Sequence, residues 1–415
     1  MGDIVVAEVD TAHGNASLRG TGFWLLWANS LSIAMVMSAD RFTFEWLVGE
    51  TLDASDWASG AVLFALGIPV CVFALVAGAM ADRHDRRRML MVTQFAGFVV
   101  LAASAATVWA GWASVGSAVL LALAFGTVVA FAQPVRGALL PSIVPRANLM
   151  HAIVVMTIGI NVSMILGPLL AGGAIDLSGV GLAFALQAVL FLVGVFLVGA
   201  MHVPAVPHVD RTVRMRAEVA EGLRFTWGHR ELRALFVLLS VGGMLMMGSA
   251  TALIPKIARD EFGRDARSAG QLFALMGVGM IVTSIVLIRH RHRITRRGLV
   301  FMLAMVVGTS IQVLQGLVPS YALLAALMLM WGLSGGFYIN LNQTLMQELT
   351  PPEKMGRVMA LNTLAHGGLV PFGAFMASAL AGAIGPQSAM SVVGAFALSC
   401  VLVCLAVAKS LREQP

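Results

Sequence analysis

The sequence predicts an all-α membrane protein of twelve transmembrane helices in two six-helix bundles. Three observations carry this prediction. The first is composition: of 415 residues, 59% are hydrophobic and 12% are charged, and the mean hydropathy is +0.87. A soluble domain is charged at about a quarter of its positions. This chain has too few charges to cover a water-facing surface, so its solvent is lipid. The second is recurrence: apolar runs of about 20 residues, each able to cross roughly 30 Å of hydrocarbon, return along the whole chain. The third is a weak internal repeat at half the chain length.

The runs place spans at 22–46, 57–81, 89–111, 115–135, 149–174 and 180–201, then at 234–255, 268–288, 299–318, 320–346, 358–382 and 386–408. Lysine and arginine orient them. With the N-terminus inside, the cytoplasmic side holds Arg19, the 83–88 and 136–146 clusters, the 211–233 linker, the 289–297 cluster, Lys354, Arg357, Lys409 and Arg412. Only Arg41, Lys256, Arg259, Arg264 and Arg267 fall outside. That is a strong positive-inside bias, and an even number of spans returns the C-terminus to the cytoplasm. The opening stretch, MGDIVVAEVDTAHGNASLRG, is polar and lacks a basic n-region. It reads as a short tail and not as a signal peptide.

One connection is long. Within 202–233, Met215, Val219, Gly222, Leu223 and Trp227 recur at helical spacing, with Arg214, Glu218, Glu221 and Arg224 turned elsewhere. This predicts an amphipathic helix along the cytoplasmic interface. The expected organisation is a tail at 1–21, a first bundle at 22–201, the linker at 202–233, a second bundle at 234–408 and a tail at 409–415. The halves resemble each other: LLPSIVPRANL (139–149) follows span four as LMQELTPPEKM (345–355) follows span ten.

Several function classes drop out. The formal charge of +6 and pI near 9.9 do not signal nucleic-acid binding, because the basic residues sit between apolar runs and form no patch with interleaved aromatics. Cys71, Cys400 and Cys404 lie inside apolar runs at no metal or redox spacing. His290 and His292 are surrounded by arginines that would repel a metal cation. No metal, no cofactor and no enzymatic constellation is expected, and the chain reads as a monomer.

GAMADRHDRRRML (78–90) lies between spans two and three. Gly78 permits close helix approach; Asp82 can sit against a helix N-terminus; Arg83, Arg86 and Arg87 can reach acids or carbonyls across the cytoplasmic face. The spacing resembles the Gly-x-x-x-Asp-Arg-x-x-Arg-Arg loop signature of the major facilitator superfamily. QPVRGALLPSIVPRANLMHA (133–152), EGLRFTWGHRELRAL (221–235) and PPEKMGRVMALN (351–362) are similar to stretches of an exporter-rich branch that includes bacterial siderophore exporters and macrolide efflux pumps. The resemblance implies the major facilitator fold, a multi-pass protein of the bacterial cytoplasmic membrane, and alternating access, with the 78–88 loop as a cytoplasmic latch.

ILGPLLAGG (165–173) in span five resembles the Gly-Pro-x-x-Gly-Gly signature of antiporters, with Ala171 breaking the spacing. Pro168 removes a backbone hydrogen bond, and Gly167, Gly172 and Gly173 permit tight packing, which would let the helix flex and seal. Ordinary small-residue packing is the plainer reading. Span four departs from the drug–proton antiporter pattern: 115–132 contains no arginine, and Arg136 is expected at the cytoplasmic end.

SADRFTFEW (38–46) puts three ionisable groups late in span one. Arg41 and Glu45, four apart, can pair on one face. Asp40 lies roughly 100° from Arg41 and 140° from Glu45 around the helix, which makes it the candidate proton-coupling or cation-binding carboxylate. The alternative stands open that span one ends near residue 39 and all three are wet. His366 can titrate near neutrality and joins this candidate set. Asn161, Asn340, Asn342 and Asn362, with Arg136, could line a cavity or serve as interhelical glue. GGMLMMG (242–248) and the 25 methionines could serve a permissive pocket, but filler is the favoured reading. The expected function is proton-coupled efflux of a small apolar or amphipathic compound, drug-like or siderophore-like. Its partners are that substrate, protons and the lipid bilayer. An uncoupled facilitator, or a carrier of lipid-like substrates, is the alternative.

Overall fold

The computed structural model describes residues 21–83, 85–144, 149–201, 223–290, 296–351 and 354–414. Among them, twelve helices are long and apolar enough to cross a membrane. In the first half these are α1 Thr21–Thr51, α2 Asp56–Arg83, α3 Arg86–Trp109, α4 Val115–Ile143, α5 Leu149–Ser178 and α6 Val180–Ala200. In the second half they are α7 Arg230–Glu261, α8 Ala266–His290, α9 Arg297–Gln315, α10 Tyr321–Leu349, α11 Leu361–Ile384 and α12 Pro386–Val407. Residues 202–222, which carry most of the expected amphipathic helix, lie outside the described set; 223–228 are helical and lead into α7.

Large apolar side chains face outward as well as inward. Val72, Leu120, Leu177 and Phe196 are mostly exposed, while Phe125, Phe184 and Phe191 are buried. Apolar on every side is what a helix surrounded by lipid requires.

The half-length repeat is written into the caps and turns. Ser114 accepts from Ser117 N at the start of α4, and half a chain later Ser320 accepts from Leu323 N at the start of α10. Both satisfy a backbone N–H that has no partner within its helix. The turns after α5 and α11 are made by Gly179 and Gly385, with φ of +79° and +83°, a region that residues with a Cβ avoid. Gly126 lets α4 abut the Leu66 carbonyl of α2, and Gly332 does the same for α10 against Met276 of α8.

Packing repeats in the same register. α2 packs on α4 as α8 does on α10, α3 on α6 as α9 on α12, and α1 on α5 as α7 on α11. The two halves then meet through exchanged partners, α2 with α11 and α5 with α8. Second and fifth helices swap roles across the interface, which is a pseudo-two-fold arrangement. The turns 52–55, 179 and 262–265 lie on one face of this bundle. The ends of α2 and α8 at Arg83 and His290, and the starts of α3 and α9 at Arg86 and Arg297, lie on the other, the basic face.

Span one is longer than the hydropathy run indicates. Its α-helix continues to Trp46 and then through a π-helical turn, Leu47–Thr51. Asp40 and Glu45 are therefore buried, at 5% and 1% exposure, and the wet-rim alternative does not hold for them. α7 and α11 also contain π-helical turns, Gly242–Gly248 and Leu364–Gly368, a local widening that recurs at functional sites.

Candidate functional site

A cavity of about 400 Å³ lies between the halves at mid-depth, within the size range of small-molecule sites. α1 contributes Ser38, Arg41 and Phe42; α4 contributes Gln133 and Arg136; α11 contributes His366. Pro168, Met164, Met247, Thr251, Phe273 and Met276 complete much of the wall.

The polar groups are held from behind. Ser38 donates to the Met35 and Ser163 carbonyls at 2.9 and 2.8 Å, tying α1 to α5. Arg136 Nη2 donates to Gln133 Oε1 at 2.8 Å, and its Nη1 is buried without a hydrogen-bond partner. His366 Nδ1 lies 3.2 Å from the Tyr338 hydroxyl, which is 3.3 Å from the Leu239 carbonyl. Asp40 does not line the cavity: its Oδ1 accepts from Arg41 N at 2.6 Å.

Arg136, expected as a cavity candidate and also at the cytoplasmic end of span four, lines the cavity. The hydropathy run stops at its charge, but α4 continues to Ile143, so Arg136 sits about 10 Å short of the helix end. It belongs to the cavity and not to the cytoplasmic rim. The methionines pack the core, Met246, Met276 and Met305 being buried, and also border a small crevice. Met246, Met247, Met276, Met280 and Met305 line this adjoining lobe with Trp331 and Tyr338.

The cavity is sealed on the face opposite the basic one. Arg259 of α7 reaches Glu45 and Glu50 of α1 at 3.5 and 3.6 Å and lies over the Trp46 ring, 5.5 Å from its centroid. Lys256 meets Asp56 of α2 at 2.5 Å and Asp260 at 2.8 Å. Asp176 of α5 accepts from Ala266 N and Arg267 N at 3.1 and 3.0 Å, placing a carboxylate from one half on the helix N-terminus of the other. Asp265, in the loop before α8, accepts from Ser268 N. The Ser268 hydroxyl and backbone hold its carboxyl below the usual carboxylate range. Beneath the ion pairs, Phe64 packs edge-on against Phe372 and Trp57 against Phe375.

The expected Arg41–Glu45 pair is not formed; Glu45 pairs with Arg259 across the seam. An arginine preceding a glutamate by four is the weaker order for a helical pair, and the tertiary partner wins. Arg41 turns to the cavity, where its guanidinium makes no hydrogen bond or ion pair among the described residues.

The span-five motif sits in the seam. Gly270 of α8 packs on the Pro168 carbonyl, and Gly172 of α5 on the Ala266 carbonyl; Gly167 approaches Met35 and Ser38, while nothing crowds Gly173. The repeat supplies a counterpart that sequence reading missed: Gly67 of α2 packs on the Pro371 ring of α11. The signal was present, because the proline–glycine pairing of 168 and 270 recurs half a chain away with the partners exchanged.

The 78–88 loop is only partly visible. Gly78, Asp82 and Arg83 are in the last turns of α2, and their side chains lie outside the described set. Asp85, not singled out from sequence, caps α3 through Arg87 N and Arg88 N. Arg87 donates from Nε to the Val198 carbonyl at 3.1 Å and from Nη2 to the Gly199 carbonyl, both within its own half. Arg86 opens α3 beside it. Two asparagine candidates bridge helices: Asn340 donates to Ser284 Oγ at 3.1 Å, and Asn342 donates to Asn362 at 2.8 Å. These are glue, and Asn161 does not line the cavity.

Known proteins of similar sequence and fold are transporters. The sequence profile of the Major Facilitator Superfamily matches residues 23–372. The multidrug efflux pump Tap of Mycolicibacterium fortuitum is 28% identical over 82% of this chain and 85% of that protein. The staphyloferrin A transporter of Staphylococcus aureus is 23% identical over 81% and 83%. The enterobactin exporter EntS of Escherichia coli is 24% identical over 82% and 80%. Among solved structures, the nucleoside transporter NupG aligns with a TM-score of 0.71 at 12% identity, covering 94% of this chain and 98% of that one.

Proposed function

Because the chain belongs to the Major Facilitator Superfamily, we propose that it is a secondary active exporter of a small amphipathic molecule, working by alternating access in the bacterial cytoplasmic membrane. It acts as a monomer with both termini and the basic face inside. The observation that carries this reading is the mid-depth cavity, built by both halves and sealed on one side by ion pairs and proline–glycine contacts. An efflux pump and an exporter among the relatives support the outward direction.

In this scheme substrate enters from the basic face. The halves then rock, the Lys256–Asp56 and Arg259–Glu45 pairs separate, and the 78–88 loop closes the cytoplasmic side. Lys256 and Asp56 keep partial contact with solvent, so their pair exchanges for water most easily; the buried Glu45 makes the Arg259 pair the stronger part of the seal. Export is tested by deleting the gene and measuring cellular accumulation of a panel of amphipathic compounds. Accumulation should rise for at least one of them; no change across the panel defeats the export reading.

On our reading, proton coupling falls to Asp40, a buried carboxylate behind the cavity wall that accepts from the Arg41 backbone N–H. In proteoliposomes Asp40→Asn should abolish the dependence of flux on a pH gradient while leaving counterflow intact. If the dependence survives in full, Asp40 is not the coupling group. The uncoupled facilitator remains the second reading, favoured by one observation: the Asp40 carboxylate stands behind the cavity wall and not in it.

A further inference from the structure

We infer that the cavity is a site for an amphipathic organic anion, whose acid group lies between Arg41 and Arg136 and whose apolar body enters the methionine-lined lobe. The inference rests on the transport reading above and specifies its substrate class. Its basis is an imbalance of donors and charge. Two guanidiniums line the cavity, and no aspartate or glutamate does so among the described residues. Asp40 is the nearest carboxylate, and even when ionised it offsets only one of them.

The donors are also unused. Arg136 Nη1 is buried and unpaired, and Trp331 Nε1 in the adjoining lobe is likewise unpaired; the half-buried Arg41 faces the cavity beside them. Buried donors without acceptors are costly, and two guanidiniums facing one space repel each other. One carboxylate, sulfonate or phenolate oxygen set relieves both penalties, and a planar fork suits such groups. A cation relieves neither. Beside the cavity the methionine-lined crevice offers only about 40 Å³ as it stands; an apolar ring enters it by displacing the flexible thioethers, which are the side chains best able to move. Lobe and main cavity share Met247, Met276 and His366, so a single ligand can touch both.

The test uses the full chain in phosphatidylcholine nanodiscs, whose lipid carries no net charge, at pH 7 by equilibrium dialysis. Three probes of one shape are compared: 2-naphthoate, 2-naphthamide and 2-naphthylmethylammonium. Naphthoate should bind saturably and roughly 10- to 100-fold more tightly than the amide, with the ammonium weakest. Arg41→Gln and Arg136→Gln should each weaken naphthoate about tenfold or more and the amide by much less. Equal or tighter binding of the ammonium, or no saturable naphthoate binding, overturns the proposal. So does full naphthoate affinity in both variants. If a variant does not fold, the order of the three probes on the unaltered chain still decides. Efflux of neutral or cationic compounds without naphthoate binding sinks the anion site and leaves export standing. Naphthoate binding without any accumulation phenotype supports the site and sinks export.

Discussion

A disulfide between Gly60→Cys and Ser378→Cys should stop transport under oxidation, and dithiothreitol should restore it. A Cβ placed on Gly60 of α2 lies 3.0 Å from the Ser378 Cβ of α11. A disulfide wants about 3.5–4.5 Å, a gap the helices close by a small adjustment. The site is on the sealed side of the cavity, beside the Trp57–Phe375 contact. In the proposed cycle rocking separates α2 from α11 there, and a covalent bond would forbid it. Cys71, Cys400 and Cys404 are free, so they are replaced first; Cys71→Ser keeps the hydrogen bond its thiol donates to the Gly368 carbonyl. Flux in proteoliposomes should fall to background in the oxidised double variant and stay near the parent level in each single one. Full flux through protein shown by mass to be completely crosslinked would mean that this seam does not move.

The same seam marks how far the sequence could be read. Twelve spans and two halves were legible because lipid imposes a crude rule, about twenty apolar residues between charges, on every helix. That rule fails where a charge is buried inside the protein. It cut span four before Arg136, which lines the cavity on a helix that continues to Ile143. Local pairing rules fail for a related reason. Glu45 had an acceptable partner four residues away on its own helix and took a better one more than two hundred residues later, in the other half. Proximity across a pseudo-symmetric interface leaves no short-range trace. What does leave a trace is repetition: Pro168 with Gly270 and Pro371 with Gly67 mirror each other because both halves were built to one plan. Comparing the halves position by position would have found Pro371 without a structure.

Substrate charge bears on coupling. An anion leaving a cell that is negative inside moves down the electrical gradient, by about 2.3 kcal/mol per charge at 100 mV. A cavity that accepts anions can therefore drive export without a proton. Asp40→Asn flux that loses its pH dependence yet still follows an imposed potassium diffusion potential would separate the two driving forces in one preparation.

Arg259→Gln should open the seal, and adding Glu45→Gln should close it again. Arg259 is the hub of the sealed face, within reach of Glu45, Glu50 and Asp260. Glu45 is 1% exposed, so removing its cation leaves a buried, unpaired carboxylate. Breaking a buried pair from one side costs on the order of 3–5 kcal/mol, whereas replacing both partners by neutral groups is often tolerated. Arg259 keeps some contact with solvent, its side chain being 11% exposed, so the lower end applies. About 3 kcal/mol shifts the balance between sealed and open forms roughly 100-fold. Ser378→Cys, 3% exposed in the parent seam, reports it through its rate of labelling by an impermeant maleimide applied from the sealed side. Labelling should be slow in the parent, about 100-fold faster with Arg259→Gln, and slow again in the double variant. Slow labelling in Arg259→Gln would remove the ion pair from the seal. Fast labelling in the double variant would mean that Arg259 acts through Glu50, Asp260 or the Trp46 ring, and not through the carboxylate it was chosen to release.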